Sequence, residues 1–159
     1  MLFRSGDGSE FIVRLPCAAA NAAAPPDATA RPDARVRVLV IDDNKDGAEM
    51  LAVALRGAGF AVGMALDGPS ALELAVTLVP HVALVDLGLP VMDGFEVARR
   101  LRDLVPCVSL VAVTGYAQPQ DRARTAAAGF AQHLRKPVDL GELFDLLTAL
   151  GRRAAAQQD

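Results

Sequence analysis

The chain has 159 residues, 52% hydrophobic and 22% charged, a length for one domain with flanks and a composition that builds a buried core. The formal net charge of −3 gives no basic footprint, which argues against nucleic acid as the main partner. No apolar run reaches the ~18–20 residues of a membrane span. Of sixteen basic residues only Lys45 and Lys136 are lysine. The abundance of Arg and Ala fits a GC-rich genome, and in that background a retained Lys marks a position to examine.

The first element in chain order is a short strand. Gly6-Asp7-Gly8-Ser9 forms a turn, Phe11-Ile12-Val13-Arg14-Leu15 extends from it, and Pro16 stops it. One strand has no partner here and does not fold stably by itself. Asp7, Glu10 and Arg14 interrupt any secretory leader in the same stretch. Residues 17–35 hold prolines and alanines with almost no large apolar side chains, the composition of a disordered linker. Cys17 and Cys107 lie far apart with no Cys or His at ligand spacing, so neither a zinc nor a redox motif is present. Idle thiols of this kind suit a reducing cytoplasm.

From Arg35 onward strands and helices alternate. Val36–Ile41 is an apolar run of buried-strand type, and Asn44 caps a helix carrying Met50, Leu51, Ala54, Leu55 and Ala58. Phe60–Leu66 is the second strand, and Asp67-Gly68-Pro69 opens a helix that stops at Pro80. Val82–Val85 is the third strand, followed by the loop from Asp86 to Gly94 and a helix with Phe95, Val97, Ala98 and Leu101. Val108–Val113 is the fourth strand, the next helix spans Pro119 to Gly129, and Ala131–Leu134 is the fifth strand. Asp139 and Glu142 have capping-box spacing before a last helix with Leu143, Phe144, Leu146, Leu147 and Leu150. Five strands alternating with five helices imply an α/β fold, a parallel sheet covered on both faces with right-handed crossovers.

In such sheets the working site lies beyond the carboxyl ends of the strands. The residues found there are Asp42 and Asp43 after strand one, Asp86 ending strand three, Thr114 ending strand four and Lys136 ending strand five. Each alone has an ordinary reading as a cap, a turn residue or a strand end. Their shared position is what points to chemistry. Three gathered carboxylates repel one another and call for a hard divalent cation such as Mg²⁺, with Lys136 as a second positive charge. A carboxylate nucleophile, a cation, an ammonium and a hydroxyl donor make a phosphoryl-transfer site. Asp86 is the candidate nucleophile, Asp42 and Asp43 the candidate metal holders, and Thr114 the hydrogen-bond donor to the bound group.

Residues 36–153 resemble the receiver domain of two-component response regulators. The match is carried by Val38-Leu39-Val40-Ile41-Asp42-Asp43-Asn44, by Asp86 through Gly94, by Val113-Thr114-Gly115-Tyr116 and by Lys136-Pro137. The resemblance implies a flavodoxin-like sheet in the order 2-1-3-4-5. It implies that Asp86 takes a phosphoryl group from phosphohistidine, and that Asp42, Asp43, Asp86 and the Gly88 carbonyl organise Mg²⁺. It further implies that Lys136 pairs with the acceptor carboxylate or a phosphoryl oxygen, that its bond to Pro137 is cis, and that Thr114 moves to bind the phosphoryl group. The implied partners are a histidine kinase or a histidine phosphotransfer protein, without nucleic acid or membrane contact by this chain, in the cytoplasm. The chain is then no enzyme beyond its own phosphorylation on Asp and slow dephosphorylation.

The family usually has Tyr or Phe three residues before Lys136, as an aromatic switch, and here His133 stands there. It either fills that slot as a flat ring or makes switching pH-sensitive. His81, in a helix-to-strand loop, is expected to be solvated.

Residues 6–16 resemble the closing strand of a histidine-kinase ATP-binding domain, so that residues 1–16 read as its remnant, 17–35 as linker, 36–153 as receiver and 154–159 as tail. That order resembles the end of a hybrid sensor kinase. The dimerisation histidine and the ATP-binding glycine boxes are missing from the sequence, and with six residues after Arg153 no output domain is expected. The alternative is a standalone single-domain response regulator. A haloacid-dehalogenase-type phosphatase also uses an Asp on a parallel sheet, but it wants a second Asp where Gly88 stands.

Overall fold

The computed structural model describes residues 35–115 and 119–158. The strand read at 6–16, nearly all of the linker, and Tyr116 lie outside the described residues. The elements are β1 (Arg37–Ile41), α1 (Lys45–Gly57), β2 (Ala61–Ala65), α2 (Gly68–Leu78), β3 (Val82–Asp86), α3 (Gly94–Leu104), β4 (Ser109–Thr114), α4 (Pro119–Ala127), β5 (Gln132–Arg135) and α5 (Leu140–Gln158). The strands form one parallel sheet in the order β2-β1-β3-β4-β5, the flavodoxin-like order implied by the sequence.

The near-continuous apolar strands follow from burial on both faces. Along β1, Leu39 and Ile41 face a cluster with Ala71 and Ala75 of α2 and with Val97, Ala98 and Leu101 of α3. Val38 and Val40 face the other cluster, with Ala48 and Leu55 of α1 and Leu143, Leu147 and Leu150 of α5. Every residue of β3 is buried. Burying one Leu or Val completely is worth roughly 1.5–3 kcal/mol, so these two layers dominate stability.

The helices start at the carboxyl end of the sheet, and side-chain oxygens fix their first turns. Asn44 accepts from the Gly47 amide at 3.1 Å, Asp67 from Ser70 at 2.8 Å, Asp93 from Glu96 at 2.8 Å and Asp139 from Glu142 at 2.9 Å. Each cap is worth about 1 kcal/mol. α5 runs on through 154–158, which the sequence assigns to a tail, and Ala154 is buried at 1% exposure. No helix among the described residues is long and apolar enough to cross a membrane.

His81 is not solvated, as the sequence suggests, but buried at 5% exposure. Its Nδ1 accepts the Arg37 amide at 3.0 Å, its own amide donates to the Arg37 carbonyl at 2.9 Å, and its carbonyl accepts from Ser109 at 2.9 Å. The imidazole thus extends the ladder below the amino ends of β1, β3 and β4, satisfying backbone groups that a solvated loop would leave to water.

Candidate functional site

The sheet register brings the polar strand ends together. Asp86, the last residue of β3, pairs with Val113, and Thr114, the last residue of β4, pairs with Arg135. The Lys136 amide donates to the Thr114 carbonyl at 2.8 Å, so β5 delivers its lysine beside β4 and β3. The Lys136–Pro137 bond is cis.

Lys136 Nζ donates to Asp42 Oδ2 at 2.7 Å and to Asp86 Oδ2 at 2.9 Å. The sequence pairs this lysine with the acceptor carboxylate, and the bond to Asp42 adds a second partner. The two carboxylates are 13% and 10% exposed, the lysine 33%. Burial alone would lower the Lys136 pKa, but its hydrogen bonds to Asp42 and Asp86, with their charges, outweigh that and hold it above the ordinary lysine value. The other carboxylate oxygens are fixed by backbone. Asp42 Oδ1 accepts from the Asn44 amide at 2.9 Å, and Asp86 Oδ1 accepts from the Gly88 amide at 2.8 Å.

Oxygens of Asp42, Asp43 and Asp86 lie within 4.8 Å of one another, with Asp43 exposed at the mouth. Three carboxylates against one ammonium leave the cluster net negative. That donor set, all hard oxygens, fits a divalent cation such as Mg²⁺.

Gly94 is a site residue whose role the sequence leaves unstated. A Cβ there would lie 2.6 Å from the Asp86 carbonyl oxygen and 2.9 Å from Leu87 Cα, so only glycine lets the loop close against β3. Beside Lys136, an open apolar groove of about 830 Å³ runs along α1, lined by Met50, Val53, Ala54, Val138 and Leu140 among others. Lys45, the other retained lysine, makes an exposed 3.8 Å ion pair with Glu49.

His133 stands on β5 opposite Ala112. Its Nδ1 is 3.3 Å from Thr125 Oγ1, and that hydroxyl donates to the Arg122 carbonyl at 3.0 Å. The hydroxyl proton is thereby used, which leaves Thr125 Oγ1 as the acceptor toward His133 Nδ1. Nε2 is buried without a hydrogen-bond partner among the described residues.

The sequence matches the model of the response regulator receiver domain over residues 38–148. The chain belongs to the response regulator receiver family. This receiver is 36% identical over 116 residues to an uncharacterized 14.6 kDa protein of Leptolyngbya boryana, covering 72% of this chain and 88% of that one. It is 35% identical over 119 residues to the DNA-binding dual master transcriptional regulator RpaA of Synechocystis, covering 74% of this chain and 49% of RpaA. The receiver therefore spans about half the length of that regulator. Among solved structures it is similar to the chemotaxis protein CheY4 of Vibrio cholerae, at 28% identity and a TM-score of 0.69, covering 74% of this chain and 99% of that one. It is also similar to a response regulator protein from Burkholderia pseudomallei crystallised with a phosphorylated aspartic acid, a calcium ion and citrate. That likeness is 30% identity at a TM-score of 0.66, covering 77% of this chain and 72% of that one.

Proposed function

We propose that this receiver takes a phosphoryl group from a phosphohistidine onto Asp86. The observation that carries the reading is Lys136 Nζ spanning Asp42 and Asp86 at 2.7 and 2.9 Å, beside a third carboxylate. The phosphorylated aspartate and calcium ion named for the Burkholderia relative support it.

A carboxylate oxygen of Asp86 forms the bond to phosphorus as the phosphorus–nitrogen bond breaks, and the electron pair leaves with the imidazole. The Gly88 amide and Lys136 orient the Asp86 carboxylate. The Lys136 ammonium offsets charge on the phosphoryl oxygens, and the Thr114 hydroxyl donates to one of them. A compact ammonium suits that place better than a planar guanidinium, which accounts for a lysine in an arginine-rich chain. Asp42, Asp43, Asp86 and the Gly88 carbonyl would hold Mg²⁺. When bound, that ion neutralises the carboxylates and the transferring group.

The partners are then a histidine kinase or a histidine phosphotransfer protein, met in the cytoplasm, and the chain catalyses nothing beyond its own phosphorylation and dephosphorylation. The Gly-x-Gly-Ser-x-Phe pattern at 6–11 and the Leu15-Pro16 stop favour an origin in a hybrid histidine kinase, with 36–153 as its receiver. Kinase codons upstream of Met1 in the genome are expected. An open reading frame starting at Met1 favours a standalone regulator instead.

Acetyl phosphate with Mg²⁺ is expected to label the wild-type chain and to leave Asp86→Asn unlabelled. Labelling that survives in Asp86→Asn overturns the assignment.

A further inference from the structure

The loop from Leu87 to Asp93 holds a residue that neither the fold nor the phosphoryl site accounts for. Val91 has φ of 70°, inside the left-handed region that a β-branched side chain enters only under strain. The Met92 amide donates to the Pro90 carbonyl at 2.8 Å, closing a three-residue turn on Val91 of the strained γ kind. The side chain gains nothing inside the molecule in return. Val91 is 96% exposed, the highest value among the exposed large apolar residues, ahead of Met50 at 76% and Val53 at 66%. Glycine would sit in that turn without strain, and asparagine with little. Val79, the other valine at positive φ, is 40% exposed but ends α2 as its left-handed cap; Val91 caps no helix, and strain there points outward, to something that covers it.

Position identifies what covers it. Asp86 is 8% exposed, so a protein donor reaches it only by seating over the strand ends. Gly94 lies against the Asp86 carbonyl, and Val91 is three residues from Gly94, a span of at most about 11 Å. A standard interface buries about 800 Å² per partner, a disc of roughly 16 Å radius. A donor centred on Asp86 therefore covers Val91.

We infer that Val91 is a docking knob for the phosphodonor protein, seated in an apolar depression on the donor surface that flanks its phosphohistidine. The inference rests on Asp86 as phosphoacceptor. Val91 is a recognition contact and takes no part in the transfer itself, so a small donor with no surface to dock is indifferent to it.

The test compares two donors on four proteins: wild type, Val91→Gly, Val91→Ile and Val76→Ser. Val76 is 63% exposed on α2 and serves as an apolar residue outside the site. A panel of phosphorylated histidine kinases and histidine phosphotransfer proteins is first ranked against wild type, and the fastest is the protein donor. Acetyl phosphate is the small donor. Transfer from the protein donor is expected to slow at least tenfold in Val91→Gly and to stay within about twofold of wild type in Val91→Ile and Val76→Ser. Acetyl phosphate should label all four alike, and Val91→Gly should melt no lower than wild type.

Equal protein-donor rates in Val91→Gly and wild type overturn the proposal while leaving Asp86 as acceptor. So does labelling by acetyl phosphate with no transfer from any protein donor. A wild-type dimer in sedimentation that Val91→Gly dissociates, with transfer unchanged, assigns the residue to self-association and equally overturns it. Loss of acetyl phosphate labelling in wild type instead strikes the reading of Asp86.

Discussion

The two ends of the sheet treat their polar groups in opposite ways. At the amino end, His81 is buried and spent on backbone: it accepts the Arg37 amide, and its own amide and carbonyl continue the ladder to β1 and β4. At the carboxyl end, Asp42, Asp43 and Asp86 crowd within 4.8 Å around a single ammonium, and the loop beyond them carries a strained, exposed valine. Satisfied polar groups at one end hold the fold. Crowded carboxylates at the other store unfavourable free energy, which the proposed cation and phosphoryl group would offset. Stability and function are thus separated along the strands, and substitutions at the two ends should have opposite signatures.

The largest effect is expected where the two meet. Gly94→Val drives a side chain into the Asp86 carbonyl and Leu87, and should destabilise by about 3 kcal/mol in denaturant unfolding while also abolishing labelling. At the base, His81→Ala leaves the Arg37 amide without its acceptor and opens a void. A loss of about 2 kcal/mol is expected, with phosphorylation by acetyl phosphate unchanged in the folded fraction. A marked fall in labelling there would break the separation of the two ends. At the rim the sign reverses. Asp43→Asn removes one like charge and should stabilise by about 1 kcal/mol in thermal melts, while weakening the Mg²⁺-dependent rise in melting temperature.

Smaller effects come from titration. The Lys136 pKa is raised in the folded state, so its contribution to stability is complete below the ordinary lysine value of 10.5 and is lost as pH rises through the folded value. Lys136→Met should therefore lower stability near neutral pH, where that contribution is complete, and flatten the alkaline fall. The smallest expected signal lies at His133. If its ring couples α4 to β5 through Thr125, the chemical-shift changes that a phosphomimic produces in α4 shrink in His133→Phe. Identical changes reduce His133 to a flat space-filler.

Much of this was legible because parallel strands buried on both faces read as apolar runs, and because Asn44, Asp67 and Asp139 announce their helices by chemistry that acts within a few residues. The strand-end rule then gathered Asp42, Asp86, Thr114 and Lys136 without any contact information. What escaped depends on distance in space. A buried and a solvated histidine look alike in sequence, and only the closeness of Arg37 and Ser109 gives His81 its place. The bond from Lys136 to Asp42 spans ninety-four positions. Val91 was illegible for a different reason: valine favours extended backbone, and nothing in its sequence neighbourhood announces a positive φ there. The last turns of α5, rich in Ala, Arg and Gln, carry little apolar periodicity, yet Ala154 packs because the helix before it is already anchored.

The central claim is that one carboxylate among three crowded ones receives the phosphoryl group. Phosphotransfer to the wild-type chain in Mg²⁺, followed by reductive trapping of the acyl phosphate and peptide mass spectrometry, tests it directly. The account predicts a single trapped position, Asp86, lost in Asp86→Asn. Trapping at Asp42 or Asp43, or at no aspartate at all, would contradict it.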